Sequence, residues 1–162
     1  MLLNGNKIVL RLVKEKDSSF ILKLRQNKEL NKYISSTDIT VEQQKEWIKK
    51  YKIREENKEE YYFVILNKEI NQPCGTVRIY NIDKINRIAT WGSFILDFTR
   101  PDGASKEVID ISLNFAFKEL NLKRIKLEVR KANKKAIHIY EKNGFIREKE
   151  DSINYYYRRE RV

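Results

Sequence analysis

A single α/β domain built on a mixed, mostly antiparallel sheet is the fold class this sequence predicts. Three observations lead there. Short β-branched and aromatic runs alternate with segments whose apolar residues fall at helical spacing. The order along the chain reads β-α-α-β-β-β-α-β-α-β-β. No repeat, linker or Pro/Gly-rich stretch interrupts it, so residues 1–162 are expected to form one domain. Strands joined by short turns must pair antiparallel, whereas a strand followed by a long helix and another strand calls for a crossover.

The elements follow in order. Lys7 to Val13 (KIVLRLV) alternates and is β-branched, which predicts a strand. Asp17 or Ser18 caps a helix carrying Phe20, Ile21 and Leu24 and ending near Asn27. After a loop rich in Ser, Thr and Asp, Thr40 and Gln43 spell a capping box. The helix they open sets Val41, Gln44, Trp47, Ile48 and Tyr51 on one face.

Three strands are predicted next, over Tyr61 to Leu66, Gly75 to Ile82 and Arg87 to Leu96. Asn71-Gln72-Pro73 marks the first turn between them and Asp83 to Asn86 the second. A strong helix is expected from Ala104 to Leu120, a strand from Arg124 to Val129, and a short helix from Lys134 to Asn143 stopped by Gly144. Strands over Phe145 to Glu148 and Ile153 to Arg158 close the chain around Glu150-Asp151-Ser152.

Composition narrows the class. With 41% hydrophobic residues spread along the chain, a core closes without disulfides or metals, and 35% charged residues favour solubility. No apolar run approaches the roughly 20 residues of a membrane span. Lys7, Arg11, Lys14 and Lys16 break the amino-terminal apolar run, so no signal peptide is read and a cytoplasmic location is expected. The one cysteine, Cys74, excludes an internal disulfide, and a strand cysteine packed as a small hydrophobe is the expected reading. Thirty-four basic against 23 acidic residues leave +11, which favours an anionic partner: nucleic acid, or a phosphorylated cofactor or substrate. Charge by itself does not choose between them.

Two segments carry chemistry. In FILDFTRPDGASKEVIDISLNFAF a strand runs through Arg100-Pro101-Asp102-Gly103-Ala104-Ser105 into a long helix. Gly103 and its small neighbours allow an anion close to the backbone, and the unpaired N–H groups of the first helical turn attract phosphate oxygens. An ordinary tight loop capped by Asp102 is the competing reading. In LEVRKANKKAIHIYEKNGF, Asn133 stands at a strand-to-helix junction and Tyr140 two helical turns on, on the same side. Taken singly, Asn133 reads as a helix cap, Tyr140 as a half-buried packing residue and His138 as a surface or packing residue.

Together these segments resemble the GNAT superfamily of N-acetyltransferases. The Asn-x-x-Ala-Ile-x-x-Tyr-x-Lys-x-Gly-Phe spelling of Asn133 to Phe145 is highly specific to it, and the element order is similar over nearly the whole chain. The amino-terminal LRLVKEKD and LRQNKELNKYIS look like the subset of ribosomal-protein and aminosugar acetyltransferases. Within them, Leu24-Arg25-Gln26-Asn27 resembles a W-R-N stretch of enzymes acting on nucleotide-linked amino sugars.

The resemblance implies a GNAT-like fold whose splayed strands leave a V-shaped gap near Phe94-Ile95-Leu96 and Lys126-Leu127-Glu128. It implies acetyl-coenzyme A as cofactor, leaving as coenzyme A. Phe94, Ile95 and Leu96 would bond its pantetheine arm, Arg100 to Ser105 (Gly103, Ala104 and Ser105 among them) its pyrophosphate, and Asn133 and Lys142 complete the cofactor site. Tyr140 would protonate the departing thiolate, a role suited to a phenol of pKa ~10. The sequence departs from the family's Arg/Gln-x-x-Gly-x-Gly/Ala loop at Ser105 and at Pro101, which has no N–H. Near Trp91, where many relatives carry a glutamate base, there is no carboxylate, and Glu128 or water are the replacements.

The expected acceptor is a small-molecule primary amine, first among them a nucleotide-linked amino sugar of bacterial glycan synthesis. A sugar amine of lowered pKa needs little help from a base, and a diphosphate suits a basic chain. A protein amino terminus of the ribosomal type is the alternative acceptor. A non-catalytic RNA-binding module, with Tyr155-Tyr156-Tyr157 as a stacking platform, is the alternative of another class. RNA binding gives no reason for the Asn133 to Phe145 spelling. No membrane, nucleic-acid or metal partner is expected, and a homodimer is left open.

Overall fold

The computed structural model describes residues 1–33 and 37–162. Eight strands form one sheet in the order β1-β2-β3-β4-β5-β6-β8-β7: β1 Leu2–Asn4, β2 Ile8–Leu12, β3 Tyr61–Asn67, β4 Gln72–Asp83, β5 Ile88–Leu96, β6 Arg124–Arg130, β7 Ile146–Glu150 and β8 Asn154–Glu160. Every pairing is antiparallel except β5 with β6, which run parallel. The helices are α1 Ser18–Gln26, α2 Val41–Glu56, α3 Ala104–Asn114 and α4 Lys134–Lys142. The crossover is the β5-α3-β6 unit, as parallel neighbours require.

The two faces of the sheet are buried separately. Ile8, Leu10, Phe63, Ile65, Val77, Ile79 and Trp91 pack against α3 and α4 in the larger core. Tyr62 and Val64, from the opposite face of β3, pack with Val13, Ile21, Ile48 and Tyr51 under α1 and α2. Burial on both faces explains why β3 reads as a continuous apolar run. Trp91 Nε1 donates to Ser112 Oγ at 2.9 Å, and Ser112 Oγ donates to the Val108 carbonyl at 2.6 Å, so the indole N–H at the centre of the core is paired.

Local signals set most boundaries. Thr40 Oγ1 accepts from the Gln43 amide at 3.1 Å while Gln43 Oε1 accepts from the Thr40 amide at 2.8 Å, the expected capping box. Gly144 follows α4 with φ +89°, the left-handed conformation its position called for.

Four expectations need correction. Asp17 does not cap α1 through its side chain; its carboxylate accepts from the Lys14 amide at 2.7 Å and from Arg11, closing a short 3-10 turn over Glu15–Asp17. Gln72 and Pro73 belong to β4, where a register shift opposite Ile65/Leu66 accommodates a residue without an N–H. The helix predicted to Leu120 ends as an α-helix at Asn114 and widens into a π turn over Phe115–Glu119, with the Leu120 amide bonded to the Phe115 carbonyl at 3.0 Å. That turn seats Phe115 against Tyr61 and Phe63, with ring centroids 5.2 and 5.7 Å away, and buries Phe117 as well. Finally, Leu2–Asn4 pairs with β2, a strand too short for the alternation to register. Ile34, Ser35 and Ser36, part of the expected Ser/Thr/Asp loop and of the LRQNKELNKYIS stretch, lie outside the described residues.

Candidate active site

The parallel pairing of β5 and β6 lasts three residues: Ile88, Ala89 and Thr90 face Arg124, Ile125 and Lys126. Beyond them the strands part. β5 remains paired with β4 as far as Gly75↔Leu96, and β6 with β8 as far as Arg130↔Asn154, so each is held on its outer side only. A register shift between Thr76 and Arg78 places an extra residue on β5, and Ser93 there takes φ +48°. Such a bulge bends its strand and re-aims its groups. Alternate N–H and C=O groups of β5 from Trp91 to Leu96 therefore face the gap without a strand partner.

The gap is a cavity of about 360 Å³ lined by Trp91, Gly92, Ser93 and Phe94 of β5, Leu127 to Arg130 of β6, and Asn133 and Tyr140 of α4, with Tyr33, Tyr80 and Asn154 at its margins. The seven-residue spacing of Asn133 and Tyr140 thus brings both to one cavity. Asn133 caps α4, its Oδ1 accepting from the Ala136 amide at 3.2 Å; the same bond orients its amide nitrogen away from the helix. The cap and the cavity-lining roles coexist.

Tyr140 is nearly buried, edge-on to Trp91 at 5.7 Å and to Phe145 at 5.9 Å. Burial pushes its phenol well above the ordinary value, so it holds its proton throughout the neutral range. Helix α4 is fixed from outside by Tyr157, whose hydroxyl donates to Glu141 Oε2 at 2.6 Å. Tyr157 is itself fully buried and Tyr155 half-buried on the same strand, which makes this tyrosine run a core strand rather than an open stacking platform.

The loop from Arg100 to Ser105 leaves the same end of β5 and lines a separate open depression with Phe98. Gly103 has φ +78°, and a Cβ built on it meets no atom within 4 Å. Ala104 N–H is taken by the Pro101 carbonyl at 3.2 Å and Glu107 N–H by the Gly103 carbonyl at 3.2 Å. Among the described residues, no backbone acceptor meets the amides of Gly103, Ser105 and Lys106, which stand at the positive end of α3. A left-handed glycine with open space above it and free amides around it is a cradle for an oxyanion. Pro101 is buried beneath the loop, so its missing N–H removes nothing from this cradle.

Other expected residues are placed differently. Ile95 is buried and Leu96 half-buried, both at the far end of β5; Ile95 borders a second cavity. Lys142 and His138 are exposed on α4 and line none of these cavities. Glu128 is the only carboxylate lining the gap among the described residues. Cys74 is fully buried, and burial pushes its thiol up to about 12, which leaves it unreactive near neutrality.

The second cavity, about 350 Å³, lies between the α1/α2 pair and the sheet and shares Ser93 with the gap. Arg25, Gln44, Trp47, Tyr62 and Arg78 line it, and no carboxylate does among the described residues. The sequence reading set Gln44 and Trp47 on a packing face and missed this cavity. The available signal was a glutamine inside the apolar stripe Val41-Trp47-Ile48-Tyr51.

Comparison with known proteins gives a consistent result. A family model described as an acetyltransferase (GNAT) domain matches residues 7–146. The spermidine N(1)-acetyltransferase of Vibrio cholerae is 29% identical over 144 residues, covering 89% of this chain and 82% of that protein. The structure of apo FdhC, a nucleotide-linked sugar GNAT, superposes with a TM-score of 0.92 at 38% identity, covering 99% of this chain and 90% of the other. A ribosomal-protein-S5-alanine acetyltransferase from Vibrio fischeri shares the fold, with a TM-score of 0.86 at 20% identity over 99% of this chain and 96% of that one.

Proposed function

This chain belongs to the GNAT family of acetyltransferases, and on that premise we propose that it acetylates the primary amine of a nucleotide-linked amino sugar, using acetyl-coenzyme A. The observation that carries the reading is the gap between β5 and β6, which joins a buried tyrosine, a free strand edge and, through Ser93, a second cavity of cationic character.

The residues fit the cofactor. The Gly103 cradle suits a pyrophosphate, the unpaired edge of β5 suits an extended amide-bearing arm, and Asn133 lines the opposite wall with an amide that could donate to that arm. Bound there, acetyl-coenzyme A supplies an activated thioester. A backbone N–H of the β5 edge would donate to the acyl oxygen as its charge develops. Tyr140 Oη would give its proton to the leaving sulfur, and the proton shed by the amine as the amide forms would pass through water and restore the phenol. The walls of the gap bring amine and acyl carbon together, so the reaction proceeds as within one molecule. The domain over residues 1–162 is read as one such transferase unit.

Two features favour the aminosugar. The similar structure with the higher identity acts, by its description, on a nucleotide-linked sugar. The space beside the gap presents Arg25 and Arg78 and no carboxylate among the described residues. The relative from Vibrio cholerae favours a second reading, a polyamine acceptor. A polycation entering through this cavity meets like charge, which costs affinity.

The test is kcat/KM for a panel of nucleotide-linked amino sugars, the corresponding free sugars, spermidine and a peptide amine, read by thiol release. The linked sugar is expected to exceed the free one clearly, since remote binding energy positions the amine. Equal values, or a preference for spermidine or the peptide, would overturn this acceptor and leave the acetyltransferase standing.

A further inference from the structure

Gln44 is fully buried on α2, and its Nε2 is the one buried side-chain nitrogen or oxygen without a hydrogen-bond partner among the described residues. Leaving a buried donor unpaired costs about 1–3 kcal/mol, so such a group calls for a reason. Its orientation has a cause. Arg25 Nη1 donates to Gln44 Oε1 at 2.9 Å, which fixes the amide. The flipped amide would set an NH₂ group against the guanidinium, so Nε2 must point the other way. Both residues line the 350 Å³ cavity that meets the gap at Ser93.

Charge in this cavity is uneven. The Arg78 guanidinium is committed: its Nε donates to the buried carboxylate of Glu60 at 2.8 Å, and its Cζ lies 4.2 Å from the centroid of the Tyr80 ring. Arg25 has no ion pair among the described residues, and its hydrogen bond to a neutral amide leaves its charge uncompensated. The cavity thus offers one free guanidinium and one orphaned amide donor side by side, with Trp47 and Tyr62 as walls.

We propose that the Arg25–Gln44 pair is a binding subsite for the diphosphate of the acceptor, one oxygen held by the guanidinium and a neighbouring one by Gln44 Nε2. This deepens the nucleotide-linked acceptor reading and rests on it. A forked guanidinium suits phosphate geometry, and the added charge-assisted bonds satisfy the orphan donor. Ser93 lines both cavities, so the subsite adjoins the gap in which the amine would react.

The test is calorimetric titration with inorganic pyrophosphate, whose recognition needs no base, at saturating coenzyme A so that the Gly103 cradle is filled. The wild-type protein is expected to bind one equivalent, in competition with the amine substrate. Arg25→Gln and Gln44→Leu should each weaken binding about tenfold, worth 1.4 kcal/mol. Arg25→Lys, which keeps the charge and loses the fork, should weaken it as well. Coenzyme A affinity within about twofold of wild type shows that each variant is folded. Absence of saturable binding, or an equal loss on Lys118→Gln at the exposed surface, overturns the subsite. Wild-type affinity in the Arg25 and Gln44 variants, with the linked sugar still preferred over the free one, overturns the subsite alone. No pyrophosphate binding together with equal turnover of both sugars removes subsite and acceptor reading together.

Discussion

Substituting Gly103 separates backbone strain from ligand contact. A Cβ at this position meets no protein atom within 4 Å, so nothing in the fold is crowded by a larger residue. The φ of +78° is the whole intrinsic cost, roughly 1–2 kcal/mol for an ordinary L-residue in the left-handed region. For a chain of this length that lowers Tm by roughly 2–8 °C. Strain present in both free and bound forms does not change affinity. The space above Gly103 is where a phosphate would approach the free amides of the first α3 turn. Each charge-assisted bond lost there is worth about 1.5–3 kcal/mol, so Gly103→Val should weaken coenzyme A binding roughly ten- to a hundredfold. Gly103→Asn is the control, since asparagine tolerates this conformation yet still fills the space. It should keep most of the Tm and lose affinity like Val. Calorimetry with coenzyme A and a melting curve on each variant decide the matter. A folded Gly103→Val protein with wild-type affinity would refute the cradle.

Three further outcomes follow, two from Tyr140 and one from Asp17. Tyr140→Phe keeps the packing against Trp91 and Phe145 and removes the proton; kcat should fall about 10²–10⁴-fold with coenzyme A affinity nearly unchanged, and a twofold loss would contradict the role. Because burial raises the Tyr140 phenol, wild-type kcat should show no limb from it between about pH 6 and 9. For Asp17, burial pushes the carboxyl up, but hydrogen bonds from the Arg11 guanidinium and the Lys14 amide outweigh it and hold the group below the usual carboxylate range. A depressed folded value means stabilisation that is present above the unfolded pKa of ~4 and lost as pH falls through the lower folded one. Asp17→Asn should therefore cost about 2 kcal/mol at pH 7 and flatten the acid limb of stability; an unchanged limb in urea melts at pH 2–5 would exclude this linkage.

Much of the molecule is written locally. The Thr40/Gln43 box, the Gly144 stop and the periodicity of α1, α2 and α4 depend on residues within a few positions of one another, so the sequence by itself determined them. The Asn133 to Phe145 spelling likewise carried the family, because its residues share one short helix and its caps. The widened turn at Phe115–Glu119 was invisible, since adding one residue to a helical turn is decided by where Phe115 and Phe117 find space against Tyr61 and Phe63. The gap was legible only through resemblance; its physical basis is that β4 and β8 hold β5 and β6 on their outer sides, with a bulge at Ser93 bending one strand away. Gln44 and Arg25 are 19 positions apart, and their meeting over Ser93 depends on how two helices pack across the sheet. Propensity, caps and turn chemistry act within a few residues, whereas strand separation, buried donors and shared cavities are set by close packing of distant parts.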